Sequence, residues 1–91
     1  MRPRCKYRIG YCPPNREFRP EHCRSDLVVE ISAEEAEALR LKNIKNLDQT
    51  EAAGKMGVSQ STFQRVLTSA YRKVSEALIQ GKILKIKEQK P

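Results

Sequence analysis

Asp48-Gln49-Thr50-Glu51-Ala52-Ala53-Gly54-Lys55-Met56-Gly57-Val58-Ser59-Gln60-Ser61-Thr62-Phe63-Gln64-Arg65-Val66-Leu67 reads as two short helices joined by a tight turn, with a polar and basic face left over on the second. Asp48 has the short acceptor side chain of an N-cap, and Glu51, three residues on, reaches back to the cap amide to complete a capping box. Gly57 supplies the permissive backbone needed to leave the first of these helices, and Ser59 caps the next. Ala53 is small enough for close approach, while Ala52, Met56, Val58, Phe63 and Val66 provide apolar contacts at the spacing two crossing helices need. Together these features make the pattern of a helix-turn-helix. Gly54 is the one blemish, since glycine inside a helix costs about 1 kcal/mol relative to alanine; it marks either a tight helix contact or tolerated drift.

Working outward, the second helix of the domain spans about Gln49 to Met56 and the third runs from Gln60 to about Gln80. Phe63, Val66, Leu67, Ala70, Val74, Ala77 and Leu78 recur at intervals of three and four, which predicts one apolar stripe along the whole third helix, with Gly81 as its C-cap. Upstream, Ser32-Ala33-Glu34-Glu35 repeats the capping-box signature. It predicts a first helix from Ala33 to about Lys45, with Ala36, Leu39 and Ile44 as its apolar positions, Glu34, Glu35 and Glu37 as acids of the first turn, and Arg40, Lys42 and Lys45 complementing the dipole at its end. Asn46-Leu47 closes it. The β-branched run Leu27-Val28-Val29-Glu30-Ile31 and the alternating Ile83-Leu84-Lys85-Ile86 suggest two strands that pair and bring the chain ends together. Two strands alone are marginal and need the helices beneath them.

Pro3, Pro13, Pro14 and Pro20 interrupt any helical period over residues 1–26, so this stretch is read as an extended basic arm preceding a single domain of residues 27–91. The expected fold class is therefore mainly α: a three-helix helix-turn-helix domain with a long third helix, an N-terminal arm and a small two-stranded β accessory. A 91-residue chain with two Phe, three Tyr and no Trp builds its core from aliphatic helix packing. A homodimer is one way such a core gains stability.

The formal charge of +7 is unevenly placed. Residues 1–24 carry seven Lys or Arg against two Glu, residues 25–48 three against six acids, and residues 49–91 eight against three. Basic ends flanking an acidic middle suit a polyanion contacted by both the arm and the helix-turn-helix, because each neutralised phosphate releases counterions. No run of about 18 apolar residues spans a membrane. No apolar segment follows the charged N-terminus, so the expectation is a cytoplasmic protein with reduced cysteines.

If the third helix enters the major groove of double-stranded DNA, the side chains turned away from its stripe meet base edges: Gln60, Ser61, Gln64, Arg65 and Thr68. Gln pairs bidentately with adenine and Arg with guanine, which puts Gln64 and Arg65 first. Lys55, Ser59, Arg72 and Lys73 are placed for phosphates, which orient a protein without conveying sequence. In the arm, Arg2, Arg4, Lys6 and Arg8 alternate, so an extended backbone presents them along one side, as a minor groove or a phosphate row would accept. Any one of these residues read alone is an ordinary solvated side chain; the set gains meaning from its frame behind Ser59.

Cys5, Cys12, His22 and Cys23 form a Cys3His set, the kind of ligands that hold zinc in a tetrahedron. Their spacing is poor, with six residues between the first two cysteines, nine more before the histidine, and adjacent His22 and Cys23 instead of a Cys-x-x-Cys knuckle. Reduced, partly buried thiols are the expected state, and no cofactor is expected. For an enzyme the sequence offers no phosphate-cradling glycine loop, no nucleophile elbow and no paired His-acid motif.

Several segments carry a family resemblance: Arg2-Pro3-Arg4-Cys5, Glu37-Ala38-Leu39-Arg40-Leu41, Gln49-Thr50-Glu51-Ala52-Ala53 through Met56-Gly57-Val58-Ser59, Ser61-Thr62-Phe63, Ala70 to Val74, and Gly81-Lys82. Over nearly its whole length the chain resembles a family of small prokaryotic proteins of unknown function, predicted to bind DNA, whose helix-turn-helix is similar to region four of sigma factors. It departs from that pattern at Ala36, where an aromatic is usual, at Gly54, where a better helix former is usual, and in having Cys12 with His22-Cys23. The resemblance implies DNA binding, and with the residues above it makes a transcriptional regulator the expected function. Two rivals follow from the same residues: a protein-interaction module docking on RNA polymerase or another regulator, and a metal- or redox-responsive DNA-binding switch using the N-terminal cysteines.

Overall fold

The backbone groups of each segment find partners in a short, ordered series of elements, and a computed structural model describes them for residues 16–22 and 26–87. The order is β1 (Glu17–Phe18), β2 (Val28–Ile31), α1 (Ala33–Leu39) continued by a π-helical turn (Arg40–Ile44), α2 (Gln49–Met56), α3 (Gln60–Gln80) and β3 (Ile83–Ile86). The molecule is mostly helical with a small sheet.

Local chemistry sets the helix boundaries. At α1 the Glu35 amide donates to Ser32 Oγ at 3.2 Å while the Ser32 amide donates to Glu35 Oε1 at 2.8 Å. At α2 the Glu51 amide donates to Asp48 Oδ1 at 2.8 Å and the Asp48 amide to Glu51 Oε1 at 3.4 Å. Both capping boxes are thus complete. Gly57 leaves α2 with φ 72°, a left-handed conformation that costs glycine nothing, and the Val58 amide then donates to the Ala53 carbonyl at 3.0 Å. Ser59 caps α3 by accepting from the Thr62 amide at 3.2 Å. Gly81 (φ 68°) ends it in the same way as Gly57, with the Lys82 amide donating to the Ala77 carbonyl. The expected spans 49–56 and 60–80 are those observed.

The end of the first helix departs from expectation. Instead of running regularly to Lys45, the chain widens: the Lys45 amide donates to the Arg40 carbonyl at 3.0 Å, an i to i−5 bond, and the Leu47 amide reaches the Leu41 carbonyl at 3.1 Å. Asn46 closes the turn at φ 59°, a conformation asparagine tolerates better than most residues. The wider turn also changes which side chains face inward. Ala38 and Leu41 are buried, Ala36 and Leu39 are half-buried at the rim, and Ile44, expected on the apolar stripe, is 75% exposed.

One core cluster joins Ala38, Leu41, Ala52, Ala53, Met56, Phe63 and Leu67, with Phe63 and Met56 its largest fully buried side chains. α3 is the common element, packing on α1, α2 and β2. Its small residues Ala70 and Ala77 are buried, as close approach of neighbouring backbones requires. The expected stripe on α3 fails at its end: Leu78 is 76% exposed.

Among the described residues the sheet has three strands instead of the expected two, in the order β1-β3-β2. β2 and β3 run parallel, with Val28 opposite Ile83 and Ile31 opposite Ile86. A parallel pair needs a crossover, and here α1, α2 and α3 supply it. β1 comes from the segment read as an extended arm and pairs antiparallel with the other side of β3, Phe18 opposite Leu84. It gives partners to backbone groups that a two-stranded pair would leave open on β3; the Ile86 amide, for example, donates to the Arg16 carbonyl at 2.7 Å.

Candidate nucleic-acid interface

The turn Gly57-Val58-Ser59 holds the start of α3 against α2, since Val58 packs on the same cluster as Met56 and Phe63. With Phe63, Leu67 and Ala70 turned inward, the 3.6-residue period leaves Gln60, Ser61, Gln64, Arg65, Thr68 and Arg72 on the opposite flank, and all six are exposed. They form one stripe along the first four turns. Lys55 is exposed in the last turn of α2.

Polar contacts within this face are specific. The Gln49 Nε2 amide, from the first turn of α2, donates to Gln64 Oε1. Gln64 Nε2 donates to Thr68 Oγ1 at 3.1 Å. The Ser59 hydroxyl, besides capping the Thr62 amide, donates to Thr62 Oγ1 at 2.9 Å and lies 3.3 Å from Ser61 Oγ. Ser59 therefore serves the helix cap, and Thr68 serves Gln64. Gln49 was not singled out by sequence reasoning; its position at the start of α2, facing the α3 flank across the turn, is visible only once the two helices cross.

Lys73, expected to meet phosphate, turns elsewhere. Its ammonium lies 3.1 Å from Glu35 Oε2 and 3.2 Å from Oε1, and Ser69 Oγ donates to the same carboxylate. Glu35, expected as a capping-box acid of the first turn, is only 5% exposed, and Glu37 only 3%, held by the Arg40 guanidinium at 2.8 and 3.0 Å. Burial pushes the Glu35 carboxyl up, but the hydrogen bonds from Ser69, from the Ser32 amide and from Lys73, together with the Lys73 charge, outweigh it and hold the group below the ordinary carboxylate value. This network fixes α1 against α3 behind the exposed flank. Further along, Asn43 Nδ2 donates to the Tyr71 hydroxyl at 3.1 Å, tying the π-helical turn to α3. At the C-terminal end, the Glu76 carboxylate is held below its ordinary value by a hydrogen bond from Lys82 and the charges of Lys82 and Arg72.

Arg2, Arg4, Lys6 and Arg8, and the possible zinc ligands Cys5, Cys12 and Cys23, lie outside the described residues; His22 is described and exposed. Among the described residues no group of three or more His, Cys, Asp or Glu is arranged to hold a metal ion, and no helix is long and apolar enough to cross a membrane.

The fold and this face define a class: a small, mainly helical domain that presents a polar helix flank behind a glycine-terminated turn. Comparison with known proteins gives the family. The chain belongs to the family described as "Protein of unknown function DUF134", which matches residues 1–90. A UPF0251 protein of Methanosarcina mazei is 46% identical over 88 residues, covering 94% of this chain and 54% of the relative. A UPF0251 protein of Halothermothrix orenii is 48% identical over 86 residues, covering 92% and 64%, and one of Dehalococcoides mccartyi is 47% identical over 81 residues, covering 87% and 69%. The chain thus spans between about half and two thirds of the length of these relatives. No solved structure matches the chain.

Proposed function

We propose that this chain is a double-stranded DNA-binding module of a transcriptional regulator, with α2, the Gly57–Ser59 turn and α3 acting as a helix-turn-helix similar to sigma factor region four. The observation that carries this reading is the exposure of all five expected base-reading residues, Gln60, Ser61, Gln64, Arg65 and Thr68, on one flank of α3, unobstructed by the fold's own acidic segment. A flank buried against the core, or covered by Glu34, Glu35 and Glu37, would have ended the idea. Instead Glu35 and Glu37 are turned inward and neutralised by Lys73 and Arg40.

In this reading Arg65 and Gln64 supply base contacts, while Lys55 and Arg72, on either side of them, supply phosphate contacts that set the register. Lys73 is withdrawn from that role and acts within the fold. The net charge of +7 adds long-range attraction to DNA. Binding to a random duplex pool, followed by sequencing of the bound fraction, tests the proposal: enrichment of a defined site is expected, and its affinity should fall steeply between about 50 and 200 mM salt. Salt-independent binding, or no binding even at low salt, would overturn it.

A further inference from the structure

Gln49 and Gln64 lie on different helices, and their carboxamides meet: Gln49 Nε2 donates to Gln64 Oε1. One turn further along α3, Thr68 Oγ1 accepts from Gln64 Nε2 at 3.1 Å. A primary amide has two N–H donors on its nitrogen and two lone pairs on its oxygen. Each end of the Gln64 amide is therefore held by one protein partner and keeps one N–H and one lone pair to present. A long exposed side chain that would otherwise sample several rotamers is restricted to one that displays a donor and an acceptor side by side.

We propose that Gln64 reads the major-groove edge of an adenine and that Gln49 is the positioning residue that holds its amide for the purpose, so that the bound site prefers A·T at the base pair facing Gln64. This rests on α3 being the DNA-reading helix. The preference follows from the edge code. Adenine offers an acceptor, N7, beside a donor, the N6 amino group, which match the remaining N–H and lone pair of the Gln64 amide. Guanine offers two acceptors, N7 and O6, so one of them would be set against the amide oxygen and left unpaired. Gln49 acts through Gln64 and, standing at the start of α2, brings that helix into the reading of a base that α3 contacts directly. Thr68 holds the other end of the same amide.

The test uses the full chain and its Gln49→Ala and Gln64→Ala variants. Each is equilibrated with a random duplex pool, the bound duplexes are sequenced, and affinities are measured for the recovered site with each of the four base pairs at every position. For wild type, one position should favour A·T over G·C by about tenfold to a hundredfold, the range of a good bidentate contact. Gln64→Ala should erase the preference at that position alone. Gln49→Ala should reduce it several-fold at the same position, with an unchanged salt slope and an unchanged thermal midpoint, because neither side chain belongs to the core cluster. The inference is overturned if Gln64→Ala leaves every base preference intact, or if Gln49→Ala weakens binding equally to all four base pairs. Failure of wild type to enrich any duplex would overturn the helix-turn-helix reading as well, and is distinguished by appearing before any variant is compared.

Discussion

The Lys73 ammonium lies 3.1 Å from the Glu35 carboxylate, and this contact pins the first turn of α1 to the middle of α3. A residue of the helix whose exposed flank is proposed to read DNA is thus anchored, on its other side, to a buried acid. The carboxylate also accepts from Ser69 and from the Ser32 amide, so it joins the α1 cap to the α3 face in a single network. Orientation of α3 and integrity of the α1 cap are coupled through one side chain.

Replacing Glu35 by Gln removes the charge while keeping most of the shape, and the loss of charge-assisted hydrogen bonds should cost about 1 to 3 kcal/mol of stability at neutral pH. The carboxyl is held below its ordinary value in the folded state, so its contribution is complete above the unfolded-state value and is lost as pH falls through the lower folded one. Wild type should therefore lose stability in the acid range, below about pH 4, and Glu35→Gln should show a shallower acid limb. Denaturant melts at pH 7 and across the acid range check both expectations; parallel pH profiles for the two proteins would contradict them.

Two glycines three residues apart should respond in opposite directions. At Gly54, a Cβ would meet nothing within 4 Å, so the residue is no close helix contact and Gly54→Ala should stabilise the chain by about 0.5 to 1 kcal/mol through helix propensity. Gly57 sits at φ 72°, where a Cβ strains the backbone, and Gly57→Ala should destabilise it by about 1 to 2 kcal/mol. Paired thermal melts decide the matter, and shifts of the same sign would show that the left-handed backbone at Gly57 does not penalise a Cβ.

Arg65 and Arg72 are both exposed on α3 but are given different tasks. Arg65→Ala should lower affinity for a selected site by about 1 to 3 kcal/mol while leaving nonspecific binding largely intact. Arg72→Ala should weaken binding to all duplexes alike and reduce the salt slope by about one. Titrations of specific and random duplex at several salt concentrations separate the two. An equal loss on both duplexes for Arg65→Ala would remove it from base reading.

Ala36 lines an open apolar hollow of about 390 Å³, together with Ile31, Leu39, Ile44, Val74, Leu84 and Ile86. Ala36→Leu should extend apolar surface into it and raise stability by about 0.5 to 2 kcal/mol, the usual range for filling space next to a core. Chemical denaturation measures this directly, and a lowered midpoint would mean that the hollow cannot accept the added side chain.

The residues legible in sequence are those whose partners lie within one turn. Ser32 with Glu35, Asp48 with Glu51, Ser59 with the Thr62 amide, and the left-handed glycines at 57 and 81 are short-range chemistry, and they mark the limits of α2 and α3. The exposed flank from Gln60 to Thr68 follows from the same periodicity. Where a distant element changes the environment, local spacing carries no signal. Glu35 has the sequence of a capping-box acid, and only the fold brings Lys73 and Ser69 of α3 beside it; Leu78 has the spacing of a core residue yet is exposed.

Local hydrogen-bonding groups and backbone permissiveness at a few positions were enough to dictate from the chain alone where each helix starts, where α2 and α3 stop and which side of α3 is polar, because a cap or an αL turn is settled within about five residues. Only the tertiary arrangement decided that Glu17–Phe18 forms a third strand, that the first helix widens at Arg40–Ile44, that Lys73 turns inward and that Gln49 reaches Gln64. Those outcomes depend on which surfaces are brought together when α3 crosses its neighbours, and no spacing along the chain encodes that by itself.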